Sequence, residues 1–183
     1  MNGMENTTIV ETHSLSKRYG GGVLAVDSVA MSVWRGEVYG FLGPNGAGKT
    51  TTLRMLVGLI RPTSGTATVA GHGPGDPRGL ARIGSLIESP GFYPYLSGRE
   101  NLRVVADLAS VSRKRVEEVL DVVGLSTRAG RKFGTYSTGM KQRLGVAAAL
   151  LKDPDLLMKA IVQDNYGEPE ARSPIYSNRV GTS

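Results

Sequence analysis

Apolar and β-branched residues occur in short, glycine-bounded runs over the first half of the chain. Such runs predict β-strands, because side chains alternate between the two faces of an extended chain. Five strands are predicted in this way, over residues 7–12, 26–34, 37–42, 67–70 and 83–87. A further apolar pair, Leu156 and Leu157, predicts a later strand that returns to the sheet.

Apolar positions recur at helical spacing in four other segments. These helices run from within residues 48–51 to Gly58, from Ser97 through Ala109, from Ser112 to Gly124, and through Leu144 and Leu151 to Asp153. Ser97 and Glu100 form a capping box, in which each side chain satisfies the backbone donor of the other. Strands followed by a helix-rich middle predict an α/β fold.

Composition narrows the classes of protein that remain. The chain has 183 residues, a formal charge of +6, no cysteine and only two histidines, His13 and His72. Disulfide frameworks, thiolate zinc sites and most histidine mechanisms are therefore excluded. The length predicts one domain. No apolar run approaches the roughly 20 residues of a membrane-spanning helix, and residues 1–8 do not have the pattern of a secretory signal, so a cytoplasmic protein is expected.

The strongest chemical signal is a G-x-x-x-x-G-K-T loop between a predicted strand and a predicted helix, at residues 43–50. Its glycines let backbone N–H groups turn toward a phosphate, and the helix N-terminus adds positive potential. Lys49 is expected to reach the terminal phosphates and Thr50 to ligate Mg²⁺. The loop predicts a nucleoside triphosphate, and by itself leaves kinases, GTPases and motor ATPases open.

A second motif precedes the fourth helix: Ser137, Thr138, Gly139 and Met140, followed by Lys-Gln-Arg. Taken alone, Ser137 is equally consistent with a helix N-cap and with an anion site. Together with the phosphate-binding loop, the motif resembles the signature helix of the ATP-binding cassette (ABC) family. The resemblance extends from Ile9 to about Leu157 and implies a P-loop NTPase fold with an N-terminal β subdomain and a helical subdomain.

The resemblance implies roles for individual residues. Tyr19 corresponds to the aromatic residue on which adenine stacks. ATP and Mg²⁺ are the implied ligands, and the residues assigned to the nucleotide are Tyr19, Gly43, Pro44, Asn45, Gly46, Ala47, Gly48, Lys49, Thr50 and Thr51. Glu88 takes the place of the family's glutamine and is assigned to the metal together with Thr50. The signature residues 137–140 are expected to contact ATP that is held by a second, head-to-tail subunit.

Glu88 and the following Ser-Pro-Gly-Phe-Tyr resemble the branch of exporters that confers resistance to bacitracin-like and lantibiotic peptides. In the family, the loop from Glu88 to Tyr95 faces a membrane-spanning permease, which implies that Phe92, Tyr93 and Tyr95 are interface residues; packing within the helical subdomain is the alternative. The implied location is the cytoplasm, on the inner face of the cell membrane through the permease.

The chain departs from the family pattern after Leu157. Ala160 stands where the family's Walker-B aspartate is expected and Ile161 where the catalytic glutamate is expected, and neither can ligate a metal or polarise a water. Asp164 would lie about 13 Å further along an extended strand. No histidine follows His72, so the switch histidine is also absent. The resemblance therefore predicts poor ATP hydrolysis.

The organisation expected from this departure is a partial ABC nucleotide-binding domain over residues 7–157, without the catalytic strands, and an unrelated, loose tail over residues 158–183. The start of the tail, Met-Lys-Ala, resembles the first strand of medium-chain quinone reductases or alcohol dehydrogenases. A reading-frame junction, a truncated gene and a divergent natural C-terminus are the explanations considered.

Two functions from other classes stay open beside the exporter subunit. One is a non-catalytic nucleotide-binding fragment. The other is an ABC protein that acts on nucleic acid, which the basic clusters at residues 113–115 and at Arg128, Arg131 and Lys132 permit. Solvated helix faces explain these clusters more simply, so nucleic acid is not the expected partner.

Overall fold

The computed structural model describes residues 7–42, 44, 46–87, 91–160 and 176–179. It divides into two compact units. The first comprises Met1–Leu80 and Ala160–Ser183, and the second comprises Ala81–Lys159.

The described elements follow the predicted order. The strands are β1 (Thr8–Arg18), β2 (Leu24–Trp34), β3 (Tyr39–Leu42), β4 (Ser64–Val69), β5 (Ile83–Leu86), β6 (Leu156–Lys159) and β7 (Tyr176–Arg179). The α-helices are α1 (Lys49–Leu56), α2 (Pro77–Leu80), α3 (Gly98–Leu108), α4 (Arg113–Val122) and α5 (Thr138–Leu150). None of the helices in these described ranges is long and apolar enough to cross a membrane. The single turn α2 and the strand β7 are elements that the sequence pattern did not predict.

The first unit contains an antiparallel sheet with the strand order β2-β1-β4. The central strand β1 continues to Arg18, beyond its predicted end at residue 12, because it stays paired with β2 through several register shifts. Thr12 is buried at its centre, where the hydroxyl donates to the Val29 carbonyl and accepts from the Met31 amide, both at 3.0 Å. This pairing fastens β1 to β2 by side-chain as well as backbone hydrogen bonds.

Helix α1 packs against β2 and β4. It starts at Lys49, directly after the glycine-rich loop, and its buried side chains include Leu53, Met55 and Leu56. The apolar core of this unit consists of Ile9, Val10, Leu15, Val26, Met31, Val33, Leu53, Met55, Leu56, Val57, Val69 and Ala70. The phosphate-binding loop therefore ends on a helix that is anchored in the core.

Strand β3, which leads into the glycine-rich loop, pairs antiparallel with β7, and Leu42 lies opposite Tyr176. The sequence predicts a loose tail over residues 158–183, yet Tyr176–Arg179 within it form this strand. The sequence around β7 has no strand periodicity. Local sequence therefore does not predict this strand, which forms by pairing with β3, more than a hundred residues away in the chain. The proposed domain boundary at Leu157 stays a prediction.

The second unit contains α3, α4 and α5 packed around one core. Its buried residues are Leu102, Ala106, Val116, Val119, Leu120, Leu125, Ala129, Phe133, Tyr136, Leu144, Ala147 and Leu151. Strands β5 and β6 pair in parallel, with Ile83 opposite Leu156, and α5 packs against β5. The predicted return of Leu156 and Leu157 to a sheet is confirmed.

The predicted capping box at the start of α3 is also present. The Ser97 hydroxyl accepts from the Glu100 amide, and the Glu100 carboxylate accepts from the Ser97 amide.

Candidate functional site

The glycine-rich loop presents the N-terminus of α1. Gly46 and Gly48 have φ angles of 84° and 83°, in the left-handed region that favours glycine. Gly48 is the N-cap of α1 and makes no side-chain cap bond, so the first turn of the helix begins on a backbone turn alone. This arrangement leaves the positive end of the helix directed into the loop, which suits a phosphate.

Polar side chains of the loop and first turn make hydrogen bonds within this segment. The Lys49 ammonium donates to the Pro44 carbonyl at 2.7 Å, so the lysine folds back over its own loop. The Thr52 hydroxyl donates to the Gly48 carbonyl at 3.0 Å, and the Thr52 amide donates to the same oxygen at 2.8 Å. Thr50 and Thr51 are half-buried in the first turn.

The loop has the donor set that a triphosphate requires: a helix N-terminus, positive-φ glycines and a lysine within the loop. Gly43 and Asn45, which the sequence also assigns to the nucleotide, lie outside the described residues. Among the described residues, no group of three or more His, Cys, Asp or Glu side chains could hold a metal ion.

Tyr19 lies at the end of β1, in the same unit as the loop, and its side chain is 41% exposed. Its amide donates to the Val23 carbonyl at 2.9 Å, and its carbonyl accepts from the Gly22 amide at 3.3 Å. The turn over Gly20–Gly22 thus fixes the backbone from which the ring projects. An exposed aromatic ring on a fixed backbone is suited to stacking on a base.

Lys17 also belongs to this region, although the sequence analysis did not assign it. Its ammonium lies 5.3 Å from the centroid of the Tyr19 ring. Lys17 and Tyr19 are two positions apart in the chain, a spacing that puts their side chains on the same side of an extended chain. The period of two was therefore the signal that could have identified Lys17.

The signature motif forms the start of α5. Ser137 is the N-cap, and its hydroxyl accepts from the Met140 amide at 3.3 Å. Thr138 and Gly139 are exposed, and a Cβ on Gly139 would meet nothing within 4 Å. Met140 is partly buried against the helical core. The capping role of Ser137 is thus observed, whereas its contact with ATP stays a prediction.

A family model described as ABC transporter matches residues 26–159, which include the phosphate-binding loop and the signature motif. The chain belongs to the ABC transporter family. The predicted resemblance is confirmed, and with it the α/β P-loop NTPase fold that solved relatives share.

Two curated ABC relatives carry names that agree with the predicted branch. The chain is 48% identical over 155 residues to the bacitracin transport ATP-binding protein BcrA of Bacillus licheniformis, covering 83% of this chain and 50% of that protein. It is 39% identical over 150 residues to the lantibiotic transport ATP-binding protein SrtF of Streptococcus pyogenes, covering 82% and 65%. The chain thus spans between half and two thirds of the length of these relatives.

A solved ABC structure shows the same fold. The ATP-binding cassette MJ0796, described as a dimer in a post-hydrolysis state bound to ADP and Pi, is 26% identical with a TM-score of 0.70. The similarity covers 82% of this chain and 72% of that chain.

One of the aromatic residues predicted to face a permease packs against the helical core. Phe92 is half-buried and packs edge-on against Phe133, with ring centroids 5.2 Å apart. Tyr93 and Tyr95 are 48% and 65% exposed. The alternative interpretation, packing within the helical subdomain, therefore holds for Phe92, while Tyr93 and Tyr95 stay available for an interface.

Asn101, which the sequence analysis missed, holds the segment that carries these tyrosines. It is 1% exposed, its Oδ1 accepts from the Tyr93 amide at 2.8 Å, and its Nδ2 donates to the Tyr93 and Ser97 carbonyls, both at 3.0 Å. An asparagine among the apolar positions of this helix was the sequence signal for this role, because a polar side chain that is buried there needs hydrogen-bond partners. Asn101 thereby fixes the backbone of Tyr93 relative to α3.

Ion pairs stabilise the helical unit. Arg99 on α3 donates to both carboxylate oxygens of Glu117 on α4, at 2.7 and 3.1 Å. The hydrogen bond from Arg99 lowers the pKa of Glu117 below its ordinary value. In the first basic cluster, Arg115 donates to Asp153 at 2.9 Å and to the Leu150 carbonyl at 3.2 Å. At least one member of that cluster is therefore engaged within the fold.

Ala160 directly follows β6, and its correspondence to the family's metal-binding aspartate stays a prediction. The observed register, with Leu86 opposite Lys159, puts Ala160 directly after the last paired residue. Glu88, which is predicted to contact the metal, lies outside the described residues, as do Ile161 and Asp164, which are predicted not to supply the missing catalytic groups.

Proposed function

We propose that this chain is the ATP-binding part of an ABC exporter for antibiotic peptides of the bacitracin or lantibiotic type. The observation that carries the proposal is the phosphate-binding loop, in which Gly48 caps α1 through its backbone and Lys49 folds over the loop. BcrA is named a bacitracin transport protein and SrtF a lantibiotic transport protein, and these names support antibiotic peptides as the exported compounds.

In this proposal, the loop and the N-terminus of α1 bind the triphosphate of ATP, and the Thr50 hydroxyl holds Mg²⁺ together with phosphate oxygens. Lys49 exchanges the Pro44 carbonyl for a terminal phosphate oxygen, which gives a stronger, charge-assisted hydrogen bond. Tyr19 stacks on the adenine. The metal supplies charge neutralisation at the phosphates.

The loop is tested by titrating Mg-ATP into the wild-type chain and Lys49→Ala. Loss of the charged donor should weaken ATP binding at least about tenfold, because charge-assisted hydrogen bonds are worth roughly 1.5–3 kcal/mol. Lys152→Ala is the matched control, since Lys152 is exposed at the end of α5 in the other unit. Equal ATP affinity in wild type and Lys49→Ala would contradict the assignment.

We further propose that two subunits hold ATP head to tail, with the signature residues of one covering the nucleotide of the other. The open space around Gly139 supports this arrangement, because a partner can approach the backbone at the start of α5. Gly139→Arg should abolish ATP-dependent dimers in light scattering. Gly130→Arg is the matched control, because a Cβ on Gly130 also meets nothing within 4 Å and Gly130 is likewise exposed. Dimers formed by Gly139→Arg would contradict the proposal.

A membrane-spanning permease is the proposed second partner, and the chain would lie on the cytoplasmic face of the membrane through it. The exposed rings of Tyr93 and Tyr95, on a segment fixed by Asn101, support such a contact. Nucleic acid is not proposed as a partner. ATP turnover that rises when the permease is added would support the exporter.

A second candidate is a nucleotide-binding chain without catalysis. Ala160 at the carboxyl end of β6 favours it, because alanine supplies no ligand for Mg²⁺. ATP binding with no turnover in the presence of the permease would favour this candidate over the exporter.

A further inference from the structure

The ring of Tyr19 has a cation on one face. The Lys17 ammonium lies 5.3 Å from the ring centroid, within the roughly 6 Å over which a cation is attracted to an aromatic face. Tyr19 stays 41% exposed, so the ring is not enclosed by this contact. One face of Tyr19 is thus engaged by the protein itself.

The Lys17 side chain is also hydrogen-bonded to a residue outside β1. Its ammonium donates to the Arg61 carbonyl at 2.7 Å. Arg61 belongs to the segment that leaves α1 and leads to β4. The lysine therefore links the ring of Tyr19 to the chain that continues from the phosphate-binding helix.

Neighbouring hydrogen bonds also connect the end of β1 to the segment between α1 and β4. The Arg18 amide donates to the Thr63 hydroxyl at 3.0 Å, and the Thr63 amide donates to the Ser16 carbonyl at 2.8 Å. Arg18 also donates through its guanidinium to the Gly22 carbonyl at 2.9 Å, within the turn that follows Tyr19. These bonds connect the backbone under Lys17 and Tyr19 to its surroundings without the lysine side chain.

We propose that Lys17 is a positioning residue for the nucleotide base: it occupies one face of Tyr19 and orients the ring so that the opposite face receives adenine. The inference rests on the proposed stacking role of Tyr19. Lys17 does not contact the base. It reduces the ordering that the ring must undergo when ATP binds, because the ring is already held in the free protein.

The test compares Mg-ATP with Mg-tripolyphosphate, which shares the phosphates of ATP but has no base. Both ligands are titrated into wild type, Tyr19→Ala, Lys17→Met, Lys17→Arg and the double variant Lys17→Met/Tyr19→Ala. Methionine keeps most of the length and apolar stem of lysine but has no charge. Arginine keeps the charge, the donor to Arg61 and the capacity for a cation–π contact. Circular dichroism and thermal unfolding confirm that each variant is folded.

Tyr19→Ala should weaken ATP about tenfold, the equivalent of one base–aromatic stack, and leave tripolyphosphate unchanged. Lys17→Met should weaken ATP about two- to fivefold, the range of an exposed cation–π contact, again without an effect on tripolyphosphate. Lys17→Arg should bind ATP like wild type. The double variant should lose no more affinity than Tyr19→Ala, because Lys17 acts only through the ring.

Two results would overturn the role of Lys17 while keeping the role of Tyr19. One is unchanged ATP affinity in Lys17→Met. The other is an equal loss for ATP and tripolyphosphate in that variant, which would mean that the lysine acts through its charge on the phosphates. If Tyr19→Ala instead affects both ligands equally, the stacking role fails, and the proposal for Lys17 fails with it.

Discussion

A Cβ atom on Gly48 would lie 2.3 Å from the carbonyl oxygen of Ala25 on β2. It would also lie 2.9 Å from Cγ2 of Val26. The N-terminus of α1 therefore packs closely against the backbone of β2 in the antiparallel sheet. No side chain fits at this position without a shift of β2 or of the loop.

Gly48→Ala should accordingly abolish ATP binding and destabilise the first unit. The clash with backbone adds to the cost of a left-handed φ for alanine. Gly46→Ala is the matched control, because Gly46 has almost the same φ but a Cβ there meets nothing within 4 Å. It should lower the free energy of unfolding by only about 1–2 kcal/mol. Thermal unfolding and ATP titration measure both variants, and equal effects would show that the Ala25 contact is unimportant.

The chain of 183 residues should bind ATP without hydrolysing it efficiently. Phosphoryl transfer requires a fixed metal and a positioned water, and Ala160 supplies neither a ligand nor a base. Phosphate release should stay far below about 1 s⁻¹, the low end of ordinary enzyme turnover. Turnover above that level, lost in Lys49→Ala and kept in Glu88→Gln, would mean that Asp164 or another acid near the C-terminus acts in catalysis.

The stability of the helical unit should decrease in acid through Glu117. Its carboxyl pKa is lowered from an ordinary 4.5 by the hydrogen bond with Arg99. The ion pair therefore stabilises the fold fully above about pH 4.5, and the contribution is lost as the pH falls through the folded pKa. Glu117→Gln should cost less than about 1 kcal/mol at neutral pH, because the pair is partly exposed.

Chemical denaturation of wild type and Glu117→Gln at several pH values measures this effect. The stability difference between the two proteins should shrink as the pH drops below 4.5. A difference that stays constant with pH in Glu117→Gln would contradict the role of its ion pair.

The pairing of β7 with β3 should protect the strand that leads into the phosphate-binding loop. Adjacent prolines, Ser177→Pro with Asn178→Pro, should break this pairing, because alternate residues of a strand point their N–H groups toward the partner. An exposed strand edge promotes association between molecules, so aggregation on warming should increase. Gly181→Pro with Thr182→Pro, beyond the end of β7, is the control. Equal aggregation of both double variants would contradict the protective role.

Much of the local structure could be predicted from the sequence. The capping box of Ser97 and Glu100 and the glycine-rich start of α1 form as expected, because their hydrogen bonds and backbone angles involve residues close together in the chain. The phosphate-binding loop and the signature motif are equally local, since each needs particular residue types at fixed spacing. These features were sufficient to predict the family.

Only the tertiary structure decided which distant residues meet. The sequence did not predict the bond from Lys17 to Arg61, the assignment of Phe92 to the helical core, the bonds of Asn101 or the strand β7. The bonds of Asn101 reach residues only four and eight positions away, but the others depend on contacts across many residues, which propensity and periodicity do not encode. The sequence by itself determined most of the elements and the motifs that mark the family, because both arise from short-range geometry. The anchoring of Lys17 by Arg61 and the pairing of β3 with β7 were decided by tertiary packing, because their partners come from elsewhere in the chain.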